Sequence, residues 1–186
     1  MAKSRFIPPG LVKLWIAEGF GVGRLPFAPG TFGSVLGVFW FWVLLLPGNT
    51  WVFVAGTMAA LGASVWLCGA AEKTLGQKDP GSVILDEIAA MPVCFSGWTA
   101  IVGLGRGAFP RGDYFFSSGN WLSIAGIVVA FRFFDILKPW PVRQSQSLPG
   151  GWGVTVDDAL AALYVNGVVL AVYAVRMFLL KAMATG

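Results

Sequence analysis

The way charge is distributed along this chain leaves it few folds. Residues 33–46, 51–70, 88–104, 120–134 and 159–180 are almost wholly apolar, and the charged residues gather between these stretches or at their ends. A membrane-spanning helix takes roughly 20 apolar residues, with a range of about 17–25. The second and fifth stretches meet that length, the third meets it with Pro92 placed to kink it, and the first and fourth are short unless their flanks join them. Hydrophobic residues make up 56% of the 186 and charged residues 12%, with 9 Trp and 15 Phe, against about 25% charged in a soluble domain. Too few polar groups remain to cover a water-facing surface, so lipid is the expected solvent. The expected fold is all-α: a polytopic membrane helical bundle with about five membrane-embedded helices, forming a single domain over residues 1–186.

Placing the N-terminus inside and letting all five stretches cross sorts the charges. Lys3, Arg5, Lys13, Arg24, Lys73, Lys78, Arg132, Lys138 and Arg143 fall on the inner side, while Arg106, Arg111, Arg176 and Lys181 fall on the outer. This bias follows the positive-inside rule. Glu18, Glu72, Asp79, Asp86, Glu87, Asp135, Asp157 and Asp158 lie on the same inner side, with Asp113 alone opposite. A plain helical bundle has no need to gather its acids in this way.

Several classes of function are excluded. The net charge of +4 belongs with basic groups facing an anionic leaflet or substrate. No basic run carries the interleaved aromatics that single-stranded nucleic acid requires, so no nucleic-acid partner is expected. There is no histidine, which removes imidazole bases, phosphohistidine and His-ligated zinc. Cys68 and Cys94 stand in apolar stretches and read as small buried hydrophobes. Lys3 and Arg5 are followed by Pro8, Pro9 and Gly10 rather than an apolar core, so the N-terminus does not read as a cleavable signal peptide.

Four constellations can carry chemistry. Asp86 and Glu87 are adjacent where the chain turns continuously apolar. A carboxylate at membrane depth costs several kcal/mol, about 3 on insertion scales, and a shared cation offsets both that cost and the mutual repulsion. Asp79, followed by Pro80, has the form of a helix N-cap and first helical residue, or else assists the acidic pair. Arg132, Asp135 and Lys138 recur every third residue and share one helix face before Pro139 ends it; they form either an interfacial ion-pair ladder or a ligand flanked by phosphate-holding cations. Gly150–Gly153 lead into Asp157 and Asp158 at the mouth of another apolar helix. Thr155 and Asp158 have capping-box spacing, but two acids there suit a hard, oxygen-liganded cation such as Mg²⁺. The glycine- and proline-rich run 19–34 precedes an apolar helix, where backbone N–H groups suit an anion. Arg24, Thr31 and Ser34 are its candidate phosphate contacts, and Gly33 and Gly37 its helix-packing pair.

These stretches, in this order, resemble the phosphatidylglycerophosphatase A family: Gly23-Arg24-Leu25-Pro26 through Pro29-Gly30-Thr31-Phe32-Gly33-Ser34, Ile84-Leu85-Asp86-Glu87, Phe131-Arg132-Phe133-Phe134-Asp135-Ile136-Leu137-Lys138-Pro139-Trp140-Pro141, and Gly150-Gly151-Trp152-Gly153 to Asp157-Asp158. Ala90, where the family pattern has Gly, and Val154-Thr155-Val156 are departures that remove no candidate ligand. The resemblance implies a Mg²⁺-dependent phosphatase that converts a phospholipid substrate, phosphatidylglycerophosphate, to phosphatidylglycerol in a bacterial cytoplasmic membrane. It assigns catalytic roles to Asp79, Asp86, Glu87, Asp135, Asp157 and Asp158. The expected metal set is Asp86, Glu87, Asp157 and Asp158; the expected phosphate contacts are Arg24, Thr31, Ser34, Arg132 and Lys138. An ion-coupled transporter, whose buried acids would bind a coupling cation, or an inactive membrane scaffold is the competing reading, and the halves show none of the symmetry that a transporter would carry.

Overall fold

The computed structural model describes residues 9–185, so Lys3, Arg5 and Pro8 lie outside the described residues. The described residues form eight α-helices and no strand: α1 Pro9–Ala17, α2 Pro29–Leu45, α3 Thr50–Leu75, α4 Leu85–Arg106, α5 Gly112–Phe115, α6 Trp121–Leu137, α7 Val142–Ser145 and α8 Gly151–Thr185, with a 3₁₀ turn at Val22–Arg24. The five long ones, α2, α3, α4, α6 and α8, correspond to the five apolar stretches. The all-helical expectation therefore holds.

Local chemistry sets the boundaries. The Asn49 side chain accepts hydrogen bonds from the backbone N–H of Trp51 and Val52 at 2.8 and 3.2 Å and starts α3. Gly76 and Gly107, both left-handed, end α3 and α4, because glycine adopts positive φ without a Cβ penalty. α2 begins at Pro29, four residues ahead of the apolar run, since proline suits the first helical position. Two capping expectations fail. Asp79 has φ of 49° in a turn ahead of α4 and does not cap it. Thr155 lies inside α8, where its Oγ1 meets the Ser64 Oγ of α3 at 2.8 Å.

Three helices have the length and apolarity of membrane spans: Thr50–Leu75, Leu85–Arg106 and Gly151–Ala184. α2 and α6 have 17 residues each, about 26 Å at 1.5 Å per residue, and fall short of a hydrocarbon core of about 30 Å.

α4 is the central helix, packed by α2, α3 and α8, while α6 closes against α8 and α1 lies on α3. Phe41 and Phe95 stack with centroids 4.3 Å apart, and Phe115 meets Phe41 edge-on at 5.3 Å; around them Met91, Phe131, Ala161, Ala162 and Val165 are fully buried. Gly33 and Gly37 let α2 settle onto α4. A Cβ on Gly33 would meet Ile84 and Glu87 at 3.0–3.2 Å, and one on Gly37 would strike Met91. Close approach through small residues is how helices pack where lipid removes the hydrophobic drive. Cys68 and Cys94 are free and buried, as their setting implied. Because the long helices alternate in direction, α2, α4 and α8 start, and α3 and α6 finish, at one end of the bundle.

Candidate active site

At that end one cavity of about 510 Å³ is lined by Ala28, Pro29, Gly30, Thr31, Asp79, Gly81, Val83, Asp86, Glu87, Arg132, Asp135, Ile136, Lys138, Asp157 and Asp158. All six acids read from the sequence as catalytic candidates reach it, together with Arg132, Lys138 and Thr31. Ser34 and Arg24 do not line it. The Ser34 hydroxyl is buried and donates to the Gly30 carbonyl at 2.9 Å. Arg24 is drawn off by Glu18, an acid the sequence reading left without a role: Arg24 Nε donates to Glu18 Oε2 at 2.7 Å and Nη2 lies 2.6 Å from the same oxygen. That pair closes the 18–24 loop rather than facing the cavity.

The carboxylates divide into two groups. Asp86 and Glu87, in the first turn of α4, converge with Asp158 of α8, and ligand oxygens from all three lie within 4.8 Å of one another. Asp86 Oδ1, Glu87 Oε2 and Asp158 Oδ2 are buried without a hydrogen-bond partner among the described residues. Buried polar atoms are ordinarily paired, so three converging carboxylates that each keep a buried, unpaired oxygen form a donor set for a divalent cation. Their chemistry, carboxylate oxygen alone, suits a hard ion. Asp157 is drawn the other way. Its Oδ2 accepts a short hydrogen bond from Lys138 Nζ, and its Oδ1 accepts from the Asp158 backbone N–H at 3.1 Å.

The cations stand beside the trio. Arg132 Nη1 lies 2.8 Å from Asp135 Oδ2 and 3.4 Å from Glu87 Oε1, and Lys138 Nζ lies 3.6 Å from Asp135 Oδ1. The ladder on α6 is thus real, and its two ends reach across to α4 and α8. Burial alone would push the Lys138 ammonium down, but the hydrogen bond and charge of Asp157, with the charge of Asp135, hold it above its usual range. The Asp79 carboxyl is pushed up by burial, with Lys138 only partly opposing this.

Two features were not legible as site residues. Gly30 is a space requirement: a Cβ there would lie 2.5 Å from both Arg132 Nη1 and Glu87 Oε1. Glu72 Oε1 accepts from the Asp79 backbone N–H at 3.0 Å and pins the turn that presents Asp79. The glycine- and proline-rich run signalled the first only as part of a loop, and nothing in the sequence signalled the second.

Comparison with known proteins adds to this geometry. A family model described as Phosphatidylglycerophosphatase A matches residues 15–173. The chain is 33% identical over 155 residues to the Escherichia coli protein named phosphatidylglycerophosphatase A, covering 82% of this chain and 78% of that one. It is 32% identical over 166 residues to the Haemophilus influenzae protein of the same name, covering 89% of each. It is also 32% identical over 160 residues to a Bacteroides thetaiotaomicron protein named, provisionally, a phosphatidylinositol-3-phosphatase, covering 84% and 90%. No solved structure matches the chain.

Proposed function

The chain belongs to the phosphatidylglycerophosphatase A family of phosphatases, and on that premise we propose that residues 1–186 form one membrane-embedded domain that removes the terminal phosphate of phosphatidylglycerophosphate, with Mg²⁺, in phosphatidylglycerol synthesis. The observation that carries the proposal is the convergence of three carboxylates, each with a buried unpaired oxygen, beside Arg132 and Lys138 in one cavity.

In this reading Asp86, Glu87 and Asp158 hold the cation. When bound there, Mg²⁺ supplies Lewis acidity and neutralises phosphate charge. The side chains divide the remaining work. Arg132 and Lys138, tethered by Asp135 and Asp157, hold the phosphate oxygens. The Thr31 hydroxyl and the start of α2 offer further donors. Asp79, whose carboxyl is raised by burial, takes the proton of the attacking water. Histidine is absent and both cysteines are buried, and the carboxylates are engaged with the cation or with Arg132 and Lys138, which favours direct attack by water; a trapped aspartyl-phosphate would overturn this step. The cavity opens at the end of the bundle where inner-side charges gather, which supports a multi-pass protein of a bacterial cytoplasmic membrane with its site facing the cytoplasm.

The test is phosphate release from phosphatidylglycerophosphate in detergent, with Mg²⁺ or EDTA, for wild type and Asp86→Asn. Release that needs Mg²⁺ and is lost in the variant supports both the reaction and the site. A folded wild type that releases nothing from this lipid refutes the substrate assignment.

A further inference from the structure

A second cavity, of about 430 Å³, lies between α4, α6 and α8, away from the acidic pocket. Its walls are apolar (Ile101, Val102, Ile127, Val165, Val169 and their neighbours), and its polar contributors include Ser123, Tyr114, Tyr173 and Arg176. We propose that this groove binds an anionic phospholipid of the opposite leaflet, with the net negative charge of its headgroup against Arg176 and an acyl chain along the apolar wall. This inference rests on the membrane reading of the fold and not on the phosphatase reaction.

Depth supports it. Along α8, Asp158 to Arg176 is 18 residues, and along α4, Asp86 to Arg106 is 20; at 1.5 Å per residue these are about 27 and 30 Å, close to a hydrocarbon thickness of about 30 Å. Arg176 therefore sits at the boundary opposite the acids. Tyr114 and Tyr173 line the groove, and the exposed Trp51 and Trp121 begin helices at that end, in keeping with an interfacial aromatic belt.

Charge selects the occupant. Arg106, Arg111 and Arg176 lie toward this boundary with Asp113 as the nearby acid, and Arg176 makes no ion pair among the described residues. Arg106 lies over the Tyr114 ring at 4.2 Å, which places a second guanidinium at the rim. A second copy of the chain is a poor fit, because a two-fold contact sets a patch against itself and would bring Arg176 toward Arg176. The lipid that the acidic pocket serves is also a poor fit. The two cavities share no lining residue, and between their α6 linings, which end at Ala130 and begin at Arg132, stands the fully buried Phe131.

The experiment is native mass spectrometry of the full chain titrated with dioleoyl phosphatidylserine or dioleoyl phosphatidylcholine, neither of which carries a terminal phosphate. Wild type is expected to hold one phosphatidylserine at about a tenfold lower concentration than phosphatidylcholine, the ratio that one charge-assisted contact to the headgroup carboxylate, which phosphatidylcholine lacks, supplies. In Arg176→Gln that ratio falls to near one. A Cβ on Gly126, which lines the groove, meets nothing within 4 Å, so the side chain of Gly126→Leu starts into open space and occupies part of the groove, and the variant is expected to retain neither lipid. Both variants should keep the wild-type melting temperature and phosphate release, so that failure here is distinct from failure of the phosphatase reading. Equal binding of the two lipids by wild type, an unchanged ratio in Arg176→Gln, undiminished retention in Gly126→Leu, or a wild-type dimer that Gly126→Leu splits would each overturn the proposal.

Discussion

Replacing Asp158 by Asn should stabilise the cation-free protein while abolishing its response to Mg²⁺. Asp158 is 3% exposed, and its ligand oxygen lies within 4.8 Å of those of Asp86 and Glu87. Two unit charges at that separation repel by about 3.5 kcal/mol at an effective dielectric near 20. Screening and relaxation around the pocket take back part of this, leaving a net gain of roughly 1–3 kcal/mol when one carboxylate becomes an amide. For a chain of this size each kcal/mol moves the unfolding midpoint by roughly 2–4 °C, so the variant should melt several degrees above wild type in EDTA. Wild type, given Mg²⁺ at about 100 times its dissociation constant, gains about 2.7 kcal/mol, whereas the variant has lost a ligand and should stay flat. The assay is thermal unfolding in detergent by intrinsic fluorescence, with EDTA or Mg²⁺, beside phosphate release. A variant that melts below wild type in EDTA and is stabilised equally by Mg²⁺ would refute the metal trio and leave Asp158 as a packing residue.

Gly30→Ala places a methyl group 2.5 Å from Arg132 Nη1 and Glu87 Oε1 and should cut phosphate release at least about tenfold by separating them, while Gly62→Ala, with nothing within 4 Å of its Cβ, keeps full activity. Asn166 sits on α8 and clamps α4, its Oδ1 accepting from Gly97 N–H at 2.6 Å and its Nδ2 donating to the Val93 carbonyl at 2.7 Å; Asn166→Leu should cost roughly 1–3 kcal/mol of stability, read as a lower melting temperature with KM unchanged. Arg24→Gln leaves buried Glu18 unpaired and should lower stability while kcat of the folded fraction stays within about twofold, whereas Arg132→Gln should lose roughly a hundredfold in kcat/KM, as expected when a donor to developing charge is removed.

How much of this was legible depends on the kind of signal. Apolar runs bounded by charge gave five long helices, because helix in lipid is enforced by the need to satisfy every backbone group. Their ends were less legible, since Pro29-Gly30 reads as loop until it is seen to start α2, and Asp79-Pro80 has the form of a cap it does not make. The acids could be assigned to one end because each stands at a helix end or in a connecting turn. Which of them face one another could not be read, because the rotation of α8 against α4 decides it. That rotation places Asp158 with Asp86 and Glu87, and its neighbour Asp157 with Lys138. Arg24 was misleading for a similar reason. Its place in a glycine-rich loop suggested an anion, but Glu18, six residues earlier, claims it.

The backbone itself concentrates cost at the same place. Four described non-glycine residues have positive φ: Phe20, Ala28, Asp79 and Lys138. The last three line the acidic cavity. Such conformations cost on the order of 1–3 kcal/mol each and persist only where surrounding structure over-determines them. Each occurs where the chain must turn sharply against a helix end: Ala28 just before α2, Lys138 just after α6, and Asp79 in the turn between α3 and α4. A more relaxed turn at Lys138 would carry its ammonium away from Asp157 and Asp135, and one at Asp79 would lift its carboxyl from the wall that Glu72 holds in place. Six acids facing two bases in one cavity add a second cost of the same kind, since uncompensated buried charge opposes folding. Strain and like charge thus fall together on the residues that reach the cavity, while the helices beneath it carry the apolar packing. This is the division expected of a site whose geometry is fixed for a ligand rather than for the stability of the fold.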